Sequence, residues 1–266
     1  MKKWLCVLAM YLCSLTEAAP IQDRRIDPTA LSELTSALGI PTDANRIEET
    51  QKRWLRKPDQ ERWELAELSA NQRHIVWNWA KEQGLFTSWK PLYKTYDKAL
   101  ILGGTTSRMQ MRLDYLKELW QEGVRFREVV WLTGDRPLDD RVDGLLDRCS
   151  NESQAARILW EDTDLPIEMR DLSVVFIAVP IKKEGETWKR PSTKDTIIAW
   201  LESAPEPCCA LFISSQPFCG YQFAVVNTYL PQLFLFDLVG PASPPTAAAI
   251  TLDTIARWIY QESLTP

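Results

Sequence analysis

The sequence predicts an α/β protein: a doubly wound and mostly parallel sheet of about five strands, with a helical N-terminal extension. Three observations predict it. From Asp97 onward, short strands that are apolar throughout alternate with amphipathic helices, the pattern of a parallel sheet covered on both faces. Residues 19–96 carry helical periodicity and few strand-like runs. The chain has 266 residues, 45% of them hydrophobic, enough for one such core and a smaller appendage.

The N-terminus reads as a secretory signal over residues 1–18. Lys2-Lys3 form a short positive region, and WLCVLAMYLCSL (4–15) is apolar but short for a bilayer span. Cleavage after Ala18 leaves Thr16 and Ala18 at the recognition positions. The expectation is export, to the periplasm or beyond, with an uncleaved short anchor as the alternative. Export permits disulfides. Yet Cys149, Cys208, Cys209 and Cys219 show neither a disulfide framework nor the CxxC pairs of a zinc site.

The extension spans 19–96. DPTALSELTSALG (27–39) predicts a helix with Asp27 as N-cap, Pro28 in the first turn and Gly39 as the stop. Residues 58–84 predict two more helices, the second ending at Gly84. The α/β part spans 97–266. Strands are predicted at 98–103, 127–134, 173–180, 208–215 and 232–240. Helices are predicted at 108–123, 151–162, 192–203, 220–230 and 247–261. The twelve tryptophans are read as core and helix packing.

Charge narrows the function. A net charge of -5 argues against a nucleic-acid surface, which needs clustered Lys and Arg to displace counterions. The only histidine, His74, falls in the extension, which leaves the α/β part without a Ser-His-Asp triad or a His-rich metal site. No metal is expected. Acid–base chemistry would fall to carboxylates such as Asp135 or Glu152; Asp195 is a weaker candidate.

In doubly wound sheets, ligands bind beyond the carboxyl ends of the strands. That rule selects Gly103, Gly104, Thr105 and Thr106 after the first strand. It selects Thr133, Gly134, Asp135 and Arg136 after the second, and Ser214, Ser215 and Gln216 after the fourth. Arg108 and Arg112 add positive charge on the first helix. The stretch GGTTSR is neither a dinucleotide fingerprint nor a phosphate loop, so the glycine pair is either an anion cradle or a plain turn.

These segments line up with a known family. DKALILGG (97–104), the helix bearing Arg112, WLTGD (131–135) and NESQAARIL (151–159) bearing Glu152 follow one another in order. TKDT (193–196) bearing Thr193 and ISSQPFCGYQFAVV (213–226) complete the set. In this order the α/β part resembles the DUF218, or YdcF-like, family of envelope proteins. The resemblance implies a Rossmann-like fold, an envelope role and, from one family case, S-adenosylmethionine or a nucleotide as cofactor. The sequence departs from the family pattern at Thr196, where the family has Asn, and at Phe218 and Tyr221, where it has His and Arg. IKKEGETWKRP (181–191) reads as an inserted loop.

The functional expectation is an exported protein that binds a polar or anionic small ligand at the strand ends. The expected ligand set is Gly103, Gly104, Thr105, Arg112, Thr133, Gly134, Glu152, Thr193, Ser214, Ser215 and Gln216. One alternative is a transferase or hydrolase acting on a nucleotide, sugar or lipid-linked precursor, with Asp135 or Glu152 as base. The other is a scaffold that docks a protein partner through its Trp-rich helices. Peripheral association with the envelope fits any of the three.

Overall fold

The computed structural model describes residues 24–57, 60–185 and 187–264. The expected signal segment, with Cys6 and Cys13, lies outside the described residues. Five strands form one parallel sheet: β1 (Lys98–Leu102), β2 (Glu128–Gly134), β3 (Ser173–Val179), β6 (Cys209–Ile213) and β7 (Leu235–Val239), in the order β3-β2-β1-β6-β7. β4 (Lys182–Glu184) and β5 (Thr187–Lys189) form a separate antiparallel hairpin.

Side chains alternate across the central strands, as a period of two requires. Ala99, Ile101, Val129, Trp131, Leu211 and Ile213 face α4 (Thr106–Gln121) and α5 (Glu152–Asp162). Leu100, Leu102, Val130, Leu132, Ala210 and Phe212 face α7 (Thr193–Glu202) and α8 (Cys219–Tyr229). Both faces of these strands are therefore dry, which is why they read as unbroken apolar runs. The four-residue α6 (Ile167–Arg170) buries Met169 beside α5.

The extension holds α1 (Pro28–Ala37), α2 (Arg46–Trp54) and α3 (Ala70–Glu82). Its apolar residues share a core with α9 (Ala248–Ser263), including Trp54, Val76, Trp79, Leu252 and Ile255. α9 packs on α8, and α2 and α3 pack on α9, so the extension adds an outer helical layer rather than a separate body. The contact between α8 and α9 is close: a Cβ on Gly220 would lie 2.3 Å from the Trp258 ring. The start of the extension is held by a buried ion pair. Arg24 Nη2 lies 3.0 Å from Asp237 Oδ1, and Asp237 Oδ2 accepts from Leu92 N and the Tyr96 hydroxyl.

The helix ends expected at Asp27, Gly39 and Gly84 are in place, and Ser192 caps α7. Asp27 accepts from Thr29 N and Ala30 N, Ser192 accepts from Asp195 N, and Gly39 and Gly84 end their helices with positive φ. Three segments differ from expectation. α2 was not predicted. Among the described residues of 58–84 there is one α-helix, α3, and before it a 3-10 turn at Arg62–Glu64, whose residues are tied by ion pairs and stacking to other parts of the fold. The expected inserted loop carries the β4–β5 hairpin. Among the described residues, no helix is long and apolar enough to cross a membrane, and Cys149, Cys208 and Cys219 are free thiols.

Candidate functional site

The strand order reverses between β1 and β6, so the crevice expected in this architecture opens over Gly103–Thr106 and Ser214–Phe218. The residues around it divide into a sealed half and an open half.

The sealed half lies beside β2. Glu152 is the first residue of α5, 5% exposed. Its Oε1 accepts from Gly134 N at 3.2 Å, and its Oε2 lies 3.1 Å from Arg136 Nε. Burial pushes its carboxyl up to about 7, against the pull of Arg136. The same carboxylate fills the space beside Gly103, where an added Cβ would lie 2.1 Å from Oε1. Arg136 also holds Asp143 through two nitrogens, at 2.7 and 2.9 Å, and donates to Gly104 O. Asp143 in turn accepts from Thr106 N, the first amide of α4, at 2.9 Å. Burial works against its charge, but hydrogen bonds from Arg136 and Thr106 N win and lower its pKa.

The helix start that a phosphate would seek is thus served by the protein's own carboxylate. Thr105 is the N-cap of α4 but makes no side-chain cap bond; its hydroxyl meets that of Ser107. Gly134 faces Pro191, whose Cγ would lie 2.8 Å from an added Cβ.

The open half lies over β1 and β6. Arg112, on the buried face of α4, is 2% exposed. Its Nη1 donates to Leu102 O and Gly103 O, while its Nε is buried with no partner. Burial lowers its pKa to about 9, and the charge of Arg108 adds to the effect. Gly104 has room: an added Cβ would meet only Arg112 Nη1 at 3.5 Å and Arg108 Cβ at 3.7 Å. Arg108 stacks on Phe218 at 4.4 Å and has no carboxylate partner among the described residues. Ser215 is wholly buried, and its hydroxyl lacks a hydrogen-bond partner.

Several expected ligand residues are engaged within the fold. The Thr133 hydroxyl donates to Ile177 O at 3.0 Å in the sheet. Ser214 donates to Gln222 Oε1, and Gln222 Nε2 donates to the Thr193 hydroxyl. Gln216 Nε2 donates to Thr87 O at 2.8 Å, which fastens the extension to the loop after β6. Asp135 accepts from the Ser153 hydroxyl at 3.0 Å. The structure therefore brings Gly104 and Arg112 together with Arg108, leaves Ser215 buried after β6, and sets Thr133, Thr193, Ser214 and Gln216 in bracing roles.

Sequence reasoning missed two residues of this region. Asp143 lies 37 positions from the amide it caps, in an irregular segment with no local signal. Arg62 comes from the extension and stacks on Phe218 at 4.6 Å. A cavity of about 480 Å3 lies elsewhere, between the extension and α9, lined by Trp54, Leu55, Leu65 and Leu252 among others. No group of acidic, Cys or His side chains fit to hold a metal occurs among the described residues. Comparison of the chain with protein-family models, with curated proteins and with solved structures finds no match.

Proposed function

We propose that this chain binds a small anionic ligand over the carboxyl ends of β1 and β6. One observation carries the reading: Arg108 and Arg112 converge beside Gly104 and neither makes an ion pair among the described residues, and Arg112 Nε and the Ser215 hydroxyl are left without hydrogen-bond partners. Buried cations are costly unless compensated, and a bound anion compensates these. The ordered resemblance to DUF218 proteins supports the same place and the export reading, with S-adenosylmethionine or a nucleotide among the ligands to try. At the two positions where that family carries His and Arg, Phe218 has Arg62 and Arg108 against its ring, and Tyr221 lies beside Arg257. Positive charge is present there, supplied by other elements.

The raised Glu152 favours a second reading, a transferase or hydrolase, because a carboxyl near 7 suits proton transfer. Its two hydrogen-bonded oxygens and its burial favour the binding reading over it. The scaffold reading has less to stand on: Trp54 and Trp79 are buried in the shared core, and Trp77 donates to Thr246 O.

The test is a thermal-shift screen of nucleotides, S-adenosylmethionine, sugar phosphates and lipid-linked precursors. Binding predicts that at least one anionic compound stabilises the chain. Gly104→Glu, which sets a carboxylate beside Arg108 and Arg112, should abolish that stabilisation while leaving the fold intact. Arg108→Met provides a second variant with the same expected loss. Stabilisation that survives both substitutions, or its absence across the whole screen, refutes the site.

A further inference from the structure

The 3-10 turn Arg62–Glu64 crosses the carboxyl end of the sheet, although it belongs to the extension. Its contacts reach four separate parts of the fold. Arg62 Nε lies 3.6 Å from Asp253 Oδ2 on α9, and the Arg62 guanidinium stacks on Phe218 at the start of α8. Glu61 pairs with Arg190 at 2.5 Å, beyond the hairpin. Arg141 lies over Trp63 at 5.0 Å and 4.0 Å from Glu64, in the segment after β2. The strap is thus fastened on both sides of the switch point.

Arg62 is the residue that these anchors leave over the crevice. Its nearest carboxylate, Asp253, is already held by Arg257 through two nitrogens at 3.1 and 3.2 Å and caps Arg56 N. Arg62 is enclosed enough for burial to lower its pKa to about 10, yet 32% of its side chain stays accessible. Arg62 and Arg108 both stack on the Phe218 ring, at 4.6 and 4.4 Å, so their guanidinium carbons are at most about 9 Å apart, the sum of those distances. Planar guanidinium forks match phosphate oxygens, with charge-assisted bonds of about 2.8 Å.

We propose that Arg62 is a ligand-binding residue, and that the strap Glu61–Glu64 closes on a phosphate group held between Arg62, Arg108 and Arg112. This rests on the switch-point reading and deepens it. The ligand class becomes a phosphate or phosphomonoester, and the extension becomes part of the site. Phe218 supplies the flat support that keeps two like charges close without a carboxylate between them, by cation–π attraction to each.

The experiment titrates the full chain with inorganic phosphate and with glycerol 3-phosphate, at ionic strength matched with sodium chloride. Calorimetry reads affinity, and hydrogen exchange reads the strap. Arg62→Met keeps the apolar stem and removes the charge; Arg62→Lys restores a cation without the fork. Phosphate should slow exchange at residues 61–64 in the wild-type chain. Arg62→Met should weaken binding by about tenfold or more, the loss of one charge-assisted contact of ~1.4 kcal/mol or above. Arg62→Lys should recover part of it. Equal affinity in wild type and Arg62→Met, or unchanged exchange in the strap, overturns the role of Arg62. If other anions still bind in the Gly104-sensitive manner, the switch-point site survives that failure. No binding of either phosphate compound to the wild type overturns the ligand class.

Discussion

Gly103 and Gly104 are neighbours in sequence, and the structure predicts opposite outcomes when each is changed to Ala. At Gly103 the new Cβ would lie 2.1 Å from Glu152 Oε1, 2.9 Å from Leu132 O and 3.0 Å from Thr133 Cα. Two of these atoms belong to the backbone of β2 and cannot turn away. The carboxylate can turn, but only by giving up Gly134 N and Arg136 in a buried place. Overpacking of this kind costs about 1–3 kcal/mol, and an unmade buried hydrogen bond to a charged group adds roughly 1.5–3 kcal/mol. A loss of about 3 kcal/mol is expected for Gly103→Ala. At Gly104 the nearest atoms are at 3.5 and 3.7 Å, ordinary contact distances, and the backbone has no positive φ. There the stiffer unfolded chain gives a change between zero and a gain of about 1 kcal/mol. Urea unfolding followed by tryptophan fluorescence measures both. With m of about 2–3 kcal/mol/M, Gly103→Ala should lower the midpoint by 1 M or more, and Gly104→Ala should leave it in place. Combining Gly103→Ala with Glu152→Ala should cost less than the sum of the two single changes, since both disturb the same contact. Equal effects of the two glycine substitutions, or strict additivity with Glu152→Ala, would refute the close contact.

Two further outcomes follow from buried charge. Asp237→Asn leaves Arg24 buried without its partner, so it should destabilise by about 3–5 kcal/mol and open the start of the extension to trypsin at Arg24; unchanged digestion would show that the pair does not hold the segment. Glu152 gives a pH signature. Its folded pKa is raised from 4.5 to about 7, so the folded state holds the proton more tightly than the unfolded chain. Its contribution is greatest below pH 4.5 and is lost as the pH rises through about 7, a change of roughly 3 kcal/mol at 1.36 kcal/mol per pH unit. Between pH 5 and 8, wild type should therefore lose more stability than Glu152→Gln; parallel urea midpoints for the two proteins would count against the raised carboxyl.

The fold was legible because the signals that specify it are local. β1, β2 and β6 read as apolar runs because both of their faces are covered, and Asp27, Ser192 and Gly84 mark helix ends through bonds within a few residues. α2 was missed because RIEETQKRW is strongly polar and buries only Thr50 and Trp54, so its apolar stripe is thin. The site was only partly legible. Gly104 and Ser215 follow from the rule that ligands gather at strand ends, and Arg112 from its charge on the first helix and the family resemblance. Asp143 and Arg62 do not, because each acts on residues far along the chain, Thr106 and Phe218. Thr133 and Ser214 were selected by the same rule, but their hydroxyls are used within the fold.

The same long-range contacts decide what the glycine turn does. A helix start attracts one anion, and at α4 Asp143 already meets the first amide with its charge balanced by Arg136. Glu152 occupies the second place, beside Gly103. The anion at this helix start is therefore a side chain of this protein, and the Glu152 carboxylate beside Gly103 is taken up by Gly134 N and Arg136. One residue further on, at Gly104, Arg108 and Arg112 make no ion pair among the described residues. A phosphate loop would place its ligand over the helix amides. In the proposed site Asp143 already takes the first amide of α4, so a bound ligand would rest on guanidinium groups, and its affinity should depend on the arginines far more than on the glycines.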